Sequence, residues 1–348
     1  MEADCTEGYR WTVLCGVGGR TGVTRALHDY QRQIRLYHPR RDGLILSNTW
    51  GDGHGDSRLS TEFIGKEIAA GRALGVDAVQ VDGGWEEAFS LKPASPPGPM
   101  AEGTVSRNPD FWRPHPDKFP GGMDGLVRTA KDAGMEFGLW FIPDAKDDYA
   151  SWERDAATVL GFYRNWGVRF VKFDGIRTSS RKGEVNVERL FERVLSESLG
   201  EIVCDLDITA ETRPGHFGAM TVGPMYIENR YTDFHRYWPH QTLRTLWKMA
   251  HYVHPLRLRM EFLNHTRSLD RYAGDPLAPG RYQADAVFAS VMFSSPLAFF
   301  DMSDLPAEFV DSAAPLIRLW KRHREKVFRG NIYPVGAEPD GKNWTGFV

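Results

Sequence analysis

From residue 43 onward the chain alternates between two patterns. Short, nearly continuous apolar runs occupy residues 44–47, 76–81, 136–142, 168–174, 201–208, 220–227, 256–262 and 297–301. Runs of this length, bounded by glycine and polar turns, read as strands buried on both faces of a parallel sheet. Between them lie segments with helical spacing. Ser60 can cap a helix ending at Leu74, with Glu62 and Phe63 in its first turn. Further helices are expected over 123–133, over 148–166 with Trp152, Val159, Leu160, Tyr163 and Trp166 on one face, and up to Gly200 along the stripe Val187, Leu190, Phe191, Val194 and Leu195. Leu243, Leu246, Trp247, Ala250 and Val253 mark another, and 283–293 and 307–327 complete the set.

Eight strands, each followed by a helical segment, are the signature of a (β/α)8 barrel over residues 43–330. An open doubly wound sheet shares the alternation but calls for a G-x-G-x-x-G first turn, and that spacing does not follow the first strand. Residues 1–42 form a lead-in with a helix expected over 24–36, and its Gly16-Val17-Gly18-Gly19 patch lacks the spacing of a phosphate loop. Residues 331–348 read as two strands around Pro339-Asp340-Gly341-Lys342, the start of a truncated C-terminal β domain. The stretch 91–122 is rich in proline and glycine, and a loop that long within a compact domain points to function.

Composition narrows the partners. A net charge of −3 over 348 residues offers no basic stripe for nucleic acid. Cys5, Cys15 and Cys204 contain no Cys-x-x-Cys pair, so neither a disulfide framework nor a zinc knot is indicated. The N-terminus has no charged segment followed by an apolar stretch, and no run approaches the ~20 apolar residues of a membrane span, so a cytoplasmic protein is expected. Aromatic residues make up 12% of the chain, with 11 Trp. Aromatic faces suit the apolar faces of sugar rings, although Trp is also a large core residue.

In a barrel the strand ends converge on one mouth. Here they carry Trp50 and Asp52, Asp82 and Trp85, Trp140 and Asp144, Lys172 and Asp174, Glu211 and Arg213, Glu228, Arg230 and Asp233, Glu261 and Asn264, and Asp301. Asp174 leads, because charge in a buried strand is costly unless it emerges at the carboxyl end. Its bland alternative is a carboxylate that caps the strand or pairs with Lys172. Acids interleaved with tryptophans match glycoside cleavage, in which one carboxylate attacks or stabilises an oxocarbenium-like centre and the other protonates the leaving oxygen. A carboxylate-only divalent site would be acid-rich too, but no histidine pair has metal-ligand spacing, and neither metal nor cofactor is expected.

Val171-Lys172-Phe173-Asp174-Gly175 resembles the nucleophile strand of the retaining α-galactosidase clan formed by glycoside hydrolase families 27 and 36. Asn48-Thr49-Trp50-Gly51, Val81-Asp82-Gly83-Gly84-Trp85, Lys118-Phe119-Pro120-Gly121-Gly122 and Gly134-Met135-Glu136-Phe137-Gly138-Leu139-Trp140 resemble that clan's sugar-pocket motifs in the same order. The likeness covers about residues 25 to 330 and is nearer family 36, whose barrel is flanked by β-sandwich domains; both ends of this chain would be remnants of such domains. It implies Asp174 as nucleophile, Lys172 as a sugar contact, Asp82 and Trp85 at the 4- and 6-hydroxyl side of galactose, and Trp50 and Trp140 as walls. It implies Asp233 as acid/base with Arg230 on the sugar; Glu228 is the runner-up, or a strand-terminal acid paired with Arg230. Asp144, Glu211, Arg213, Glu261 and Asp301 are further candidate substrate contacts, Glu211 and Arg213 being also readable as a structural pair and Asp301 as the cap of its neighbouring helix.

The clan usually has two adjacent acids where this chain has Asp82 followed by Gly83. Loss of one carboxylate changes the grip on hydroxyls, which discriminate strongly between sugars. The expected function is therefore a retaining exo-glycosidase acting on terminal α-galactosides, with a glycosidase of other sugar specificity, a non-catalytic carbohydrate-binding barrel and a metal-dependent hydrolase as the alternatives.

Overall fold

The computed structural model describes residues 11–87, 108, 110–208, 221–227 and 237–348. Eight parallel strands close into a barrel in sequence order: β1 Leu46–Asn48, β2 Ala78–Val81, β3 Glu136–Phe141, β4 Phe170–Phe173, β5 Val203–Asp207, β6 Met225–Tyr226, β7 Leu258–Phe262 and β8 Ser295–Ala298. The register closes through Leu46 opposite Leu297 and Ser47 opposite Ala298. A (β/α)8 barrel is thus the architecture, as the alternation of patterns requires.

Helix α1 (Gly19–Ile34) precedes the barrel, and α2 (Thr61–Leu74), α3 (Asp124–Asp132), α4 (Trp152–Gly161), α5 (Arg181–Glu197), α6 (Pro239–Met249), α7 (Ala284–Ala289) and α8 (Ala307–Arg329) surround it. Ser60 caps α2 by accepting from the Phe63 amide at 3.1 Å, and Gly75 ends it in the left-handed region at φ 99°. The N-terminal end of the barrel is covered by α1, whose Gln31 donates to the Tyr252 carbonyl at 3.0 Å, while Arg35 donates to the Thr221 carbonyl at 2.7 Å. Lys321 and Arg324 of α8 grip Asp77 at the same end, both at 2.6 Å.

Strands are shorter than the apolar runs, because tertiary contacts take over at their ends. Ile45 donates its amide to the Asp77 carboxylate at 2.9 Å rather than to a neighbouring strand, so β1 starts one residue later. The helix expected over 148–166 is broken. Asp147, Asp148 and Tyr149 all adopt positive φ, held by Ser180 donating to Asp148 at 2.7 Å and by the Arg177 amide donating to the Tyr149 hydroxyl at 2.7 Å. Only then does α4 begin, and it runs into a π-helical turn, Phe162–Trp166, where Phe162 and Trp166 stack at 5.6 Å. α7 is likewise shorter than 283–293, as Ser290 and Ser294 turn their hydroxyls back onto the Val287 and Val291 carbonyls. Outside the barrel, β9 (Pro334–Gly336) and β10 (Thr345–Phe347) form an antiparallel hairpin around Asp340, whose carboxylate accepts from the Lys342 and Asn343 amides. Among the described residues no helix is long and apolar enough to cross a membrane.

Candidate active site

Side chains alternate along a strand, so residues two apart share a face. Asp205 and Asp207 on β5, Arg259 and Glu261 on β7, and Gln80 followed by Asp82 at the end of β2 therefore stack in layers along the barrel axis. In the lower layer Arg259 donates to Asp205 through Nη2 at 2.6 Å and to the Leu44 carbonyl at 2.9 Å. Gln80 accepts there from the Tyr226 hydroxyl at 2.6 Å and from Asn48 at 2.8 Å. Burial pushes the Asp205 carboxyl up against the opposing pull of Arg259, and burial likewise raises the Tyr226 phenol.

The upper layer is organised by Lys172, whose side chain is only 3% exposed. Its ammonium lies 2.8 Å from Asp82, 3.3 Å from Asp207 and 3.9 Å from Asp174, and 5.3 Å from the centre of the Tyr226 ring. Burial acts against the charge, but Asp82, Asp207 and Asp174 together outweigh it and hold the lysine well above its ordinary range. Asp82 is fixed further by Asn48 at 2.7 Å and by the Gly83 amide at 2.8 Å.

Asp174 sits just beyond β4 and differs from its neighbours in being 28% exposed. One carboxylate oxygen accepts from the Trp140 indole at 3.1 Å and the other from the Gly175 amide at 2.6 Å. Asp174 thus has a lysine, an indole and a backbone amide around a carboxylate that solvent can still reach.

The turn presenting Asp82 is braced from behind. Gly84 has φ 97°, and a Cβ there would lie 2.2 Å from that of Asp56. Lys118 ties Asp56 at 2.8 Å to the Gly84 carbonyl at 2.9 Å, so the Lys118-Phe119-Pro120 motif acts as a strut. Glu86 is buried and accepts from the Gly84 amide; burial, reinforced by the nearby Asp82 charge, pushes its carboxyl up to about 8.

The expected contacts divide accordingly. Asp82, Trp140, Lys172 and Asp174 are brought together, and Trp50 packs half-buried beside β1 with its amide on Asn48. Trp85 is a correction: it is fully buried among Trp112, Phe162 and Trp166, and its indole donates to the Trp140 carbonyl at 3.0 Å. It supports the wall from outside and has no face left for a sugar. Asp144 is a second correction, since its buried carboxylate accepts from Arg154 at 3.2 Å and from the Lys146 amide at 3.1 Å, capping the turn after β3. Asp301 is buried at the rim, accepting from His54 at 2.8 Å and Arg58 at 2.6 Å, while its amide donates to Asp52, which pairs with Arg267 at 2.6 Å. Glu261 is buried on β7. Glu211, Arg213, Glu228, Arg230 and Asp233 lie outside the described residues.

Asp207, Gln80 and Tyr226 belong to the constellation although sequence reasoning passes over them. The signal was present in Asp205-Leu206-Asp207, two acids at strand spacing inside an otherwise apolar run.

No family model matches the chain. Among curated proteins, α-galactosidase AgaA of Geobacillus stearothermophilus is 27% identical over 128 residues, 36% of this chain and 16% of that protein. Among solved structures, the family 36 α-galactosidase AgaA of the same organism superposes with a TM-score of 0.70 at 16% identity, over 95% of this chain and 49% of that one. AgaB, also from G. stearothermophilus, gives 0.68 at 16% identity over 93% and 48%. A putative α-galactosidase/melibiase of Bacteroides fragilis gives 0.52 at 15% identity over 80% and 60%. AgaA structures include complexes with stachyose and with raffinose. AgaA and AgaB are family 36 α-galactosidases, in line with the motif resemblance, and what these likenesses show is the shared barrel. The chain spans about half the length of the AgaA and AgaB structures.

Proposed function

We propose that this barrel is the catalytic unit of a retaining exo-glycosidase of the family 36 type, acting on terminal α-galactosides. The observation that carries the reading is Asp174, a half-buried but solvent-accessible carboxylate at a strand end, held between the Trp140 indole and the Lys172 ammonium. The oligosaccharides held by the AgaA structures, stachyose and raffinose, represent the proposed substrate class.

In this reading Asp174 attacks the anomeric carbon while an acid from the segment after β6 protonates the departing oxygen, giving a glycosyl ester. Water, deprotonated by the same residue, then cleaves the ester and regenerates Asp174. Asp233 is assigned as that acid/base, Arg230 as a sugar contact and Glu228 as the alternative acid. Lys172 and Asp82 meet the sugar hydroxyls, and Trp50 and Trp140 wall the pocket. Gly83 removes one acid from the sequence motif, but Asp207 brings a second carboxylate to Lys172 from β5. A hydroxyl-binding acid arriving from another strand meets a different edge of the ring, so selectivity at one ring position is where this protein would depart from its relatives.

The test is turnover of an aryl α-galactoside by Asp174→Ala and Asp233→Ala. Each should lose about 10³-fold or more in kcat, and undiminished turnover in either removes that residue from its role. A chelator should leave the rate unchanged; abolition would replace this mechanism by a metal-dependent one. Gly83 also favours a second reading, a carbohydrate-binding barrel without catalysis, for which calorimetry would detect galactose binding with no hydrolysis of any aryl glycoside.

A further inference from the structure

Asn48 is the last residue of β1 and lies directly opposite Gln80 of β2. Its side chain is buried, and both hydrogens of its amide are used. Nδ2 donates to Gln80 Oε1 at 2.8 Å and to Asp82 Oδ2 at 2.7 Å, while Oδ1 accepts from the Trp50 amide at 3.0 Å. The Trp50 N–H can only donate, which fixes the orientation of the Asn48 amide. Nδ2 must then face Asp82 and Gln80, Gln80 must present its oxygen, and the Tyr226 hydroxyl must give its proton to that oxygen at 2.6 Å. One backbone N–H thus sets the polarity of every bond from Trp50 to Tyr226.

The Asp82 oxygen that Asn48 holds is also the one on Lys172, at 2.8 Å. The other oxygen accepts from the Gly83 amide at 2.8 Å, and the Asp82 amide donates to the Thr49 hydroxyl at 3.0 Å. A donor at the place of Asn48 has to be neutral. A second cation would compete with Lys172, which already serves Asp207 and Asp174, and a carboxylate would repel Asp82. Among side chains of this length only asparagine offers two hydrogens and an acceptor. A residue that merely filled the end of β1 would need none of these. We propose that Asn48 is a positioning residue, tying the Asp82 carboxylate that grips sugar hydroxyls to the wall at Trp50, so that grip and wall keep one spacing. Asp82 and Trp50 have those roles only in the glycosidase reading; the tie between them does not depend on it.

The test compares Asn48→Leu, which keeps the shape and removes every side-chain bond, with Asn48→Asp, which sets an oxygen against Asp82 and Gln80. Both are assayed as full chains, well below their thermal midpoints, for kcat/KM on an aryl α-galactoside relative to wild type between about pH 5 and 8. Taking the ratio divides out the titrations of Asp174, Asp205, Asp207, Glu86, Lys172 and Tyr226, which share these layers. Asn48→Leu should lose about 10- to 100-fold, as expected for a hydrogen bond to a charged group, by the same factor at every pH. Asn48→Asp should lose more than that at the alkaline end and less at the acid end, because Asp82 raises the new carboxyl and its protonated form donates again. The Trp50 and Gly83 amides report the two ends of the tie, and in Asn48→Asp their chemical shifts should move with the midpoint of the activity ratio. Even where Asn48→Leu does not fold, Asn48→Asp at the acid end retains the shape and one donor. Full activity of either variant at the alkaline end, a pH-independent ratio for Asn48→Asp, or separate midpoints at Trp50 and Gly83 overturns the proposal. A wild type that hydrolyses no aryl glycoside, with Trp50 and Gly83 still titrating together in Asn48→Asp, leaves the tie standing and counts against the catalytic reading instead.

Discussion

Replacing Lys172 by methionine keeps the length of the side chain and removes its charge. In the native barrel one buried ammonium faces three carboxylates, Asp82 at 2.8 Å, Asp207 at 3.3 Å and Asp174 at 3.9 Å. Removing one partner from a buried ion pair costs about 3–5 kcal/mol, because the other charge is left without compensation. Two of the acids here are nearly as buried as the lysine, so Lys172→Met should fall in that range at neutral pH. The pH dependence distinguishes this from lost packing. Lys172 is raised above its ordinary range, so its stabilisation is complete below that range and is lost only as pH rises through the still higher folded value. The wild type should therefore show no lysine-dependent change between about pH 5 and 8. In the variant the crowded acids favour taking up a proton in the folded state, so the deficit should shrink as pH falls. Urea unfolding followed by tryptophan fluorescence across that interval measures both effects. A deficit under about 1 kcal/mol, typical of an exposed pair, or one independent of pH, would refute the account of Lys172 as the charge that organises the site.

Glu86 gives a second titration, in which stability again falls as pH rises but within the neutral range. Burial lifts its carboxyl from 4.5 to about 8, so its protonated form is the one the fold favours, and stability is lost as pH climbs from the lower value toward the upper. Glu86→Gln should flatten that slope, becoming relatively more stable than wild type near pH 8 by the same denaturation assay; parallel profiles would show that Glu86 is ionised throughout. Gly84→Ala places a Cβ 2.2 Å from that of Asp56 at a φ of 97°, and should displace the Asp82 turn, with soluble yield and thermal midpoint both falling sharply; an unchanged midpoint would show that the turn yields easily. Trp140→Phe deletes the indole hydrogen bond to Asp174 and should lower kcat on an aryl α-galactoside by about 10- to 100-fold, in line with ~1.5–3 kcal/mol for a bond to a charged group. An unaltered kcat would make Trp140 a wall only.

The order of elements was legible in the chain because each is specified locally. Apolar runs of strand length, helical stripes, the Ser60 cap and the glycine endings at Gly75 and Gly200 depend on near neighbours, and together they leave little besides a (β/α)8 barrel. Asp174 was legible for the same reason: an acid at the end of a buried strand stands out wherever the strand packs. What depended on residues far apart in sequence was not. Trp85 and Trp140 look alike on paper, yet only Trp140 reaches Asp174, because the aromatic cluster of Trp112, Phe162 and Trp166 closes around the other. Asp144 resembles the other strand-end acids until Arg154 and the turn after β3 claim it. Asp207 joins Lys172 because β5 pairs beside β4 and the curvature of the barrel turns its alternate side chains inward. Local chemistry fixes which segments become strands and helices; which carboxylates share a lysine is set by the direction each strand faces once the ring has closed.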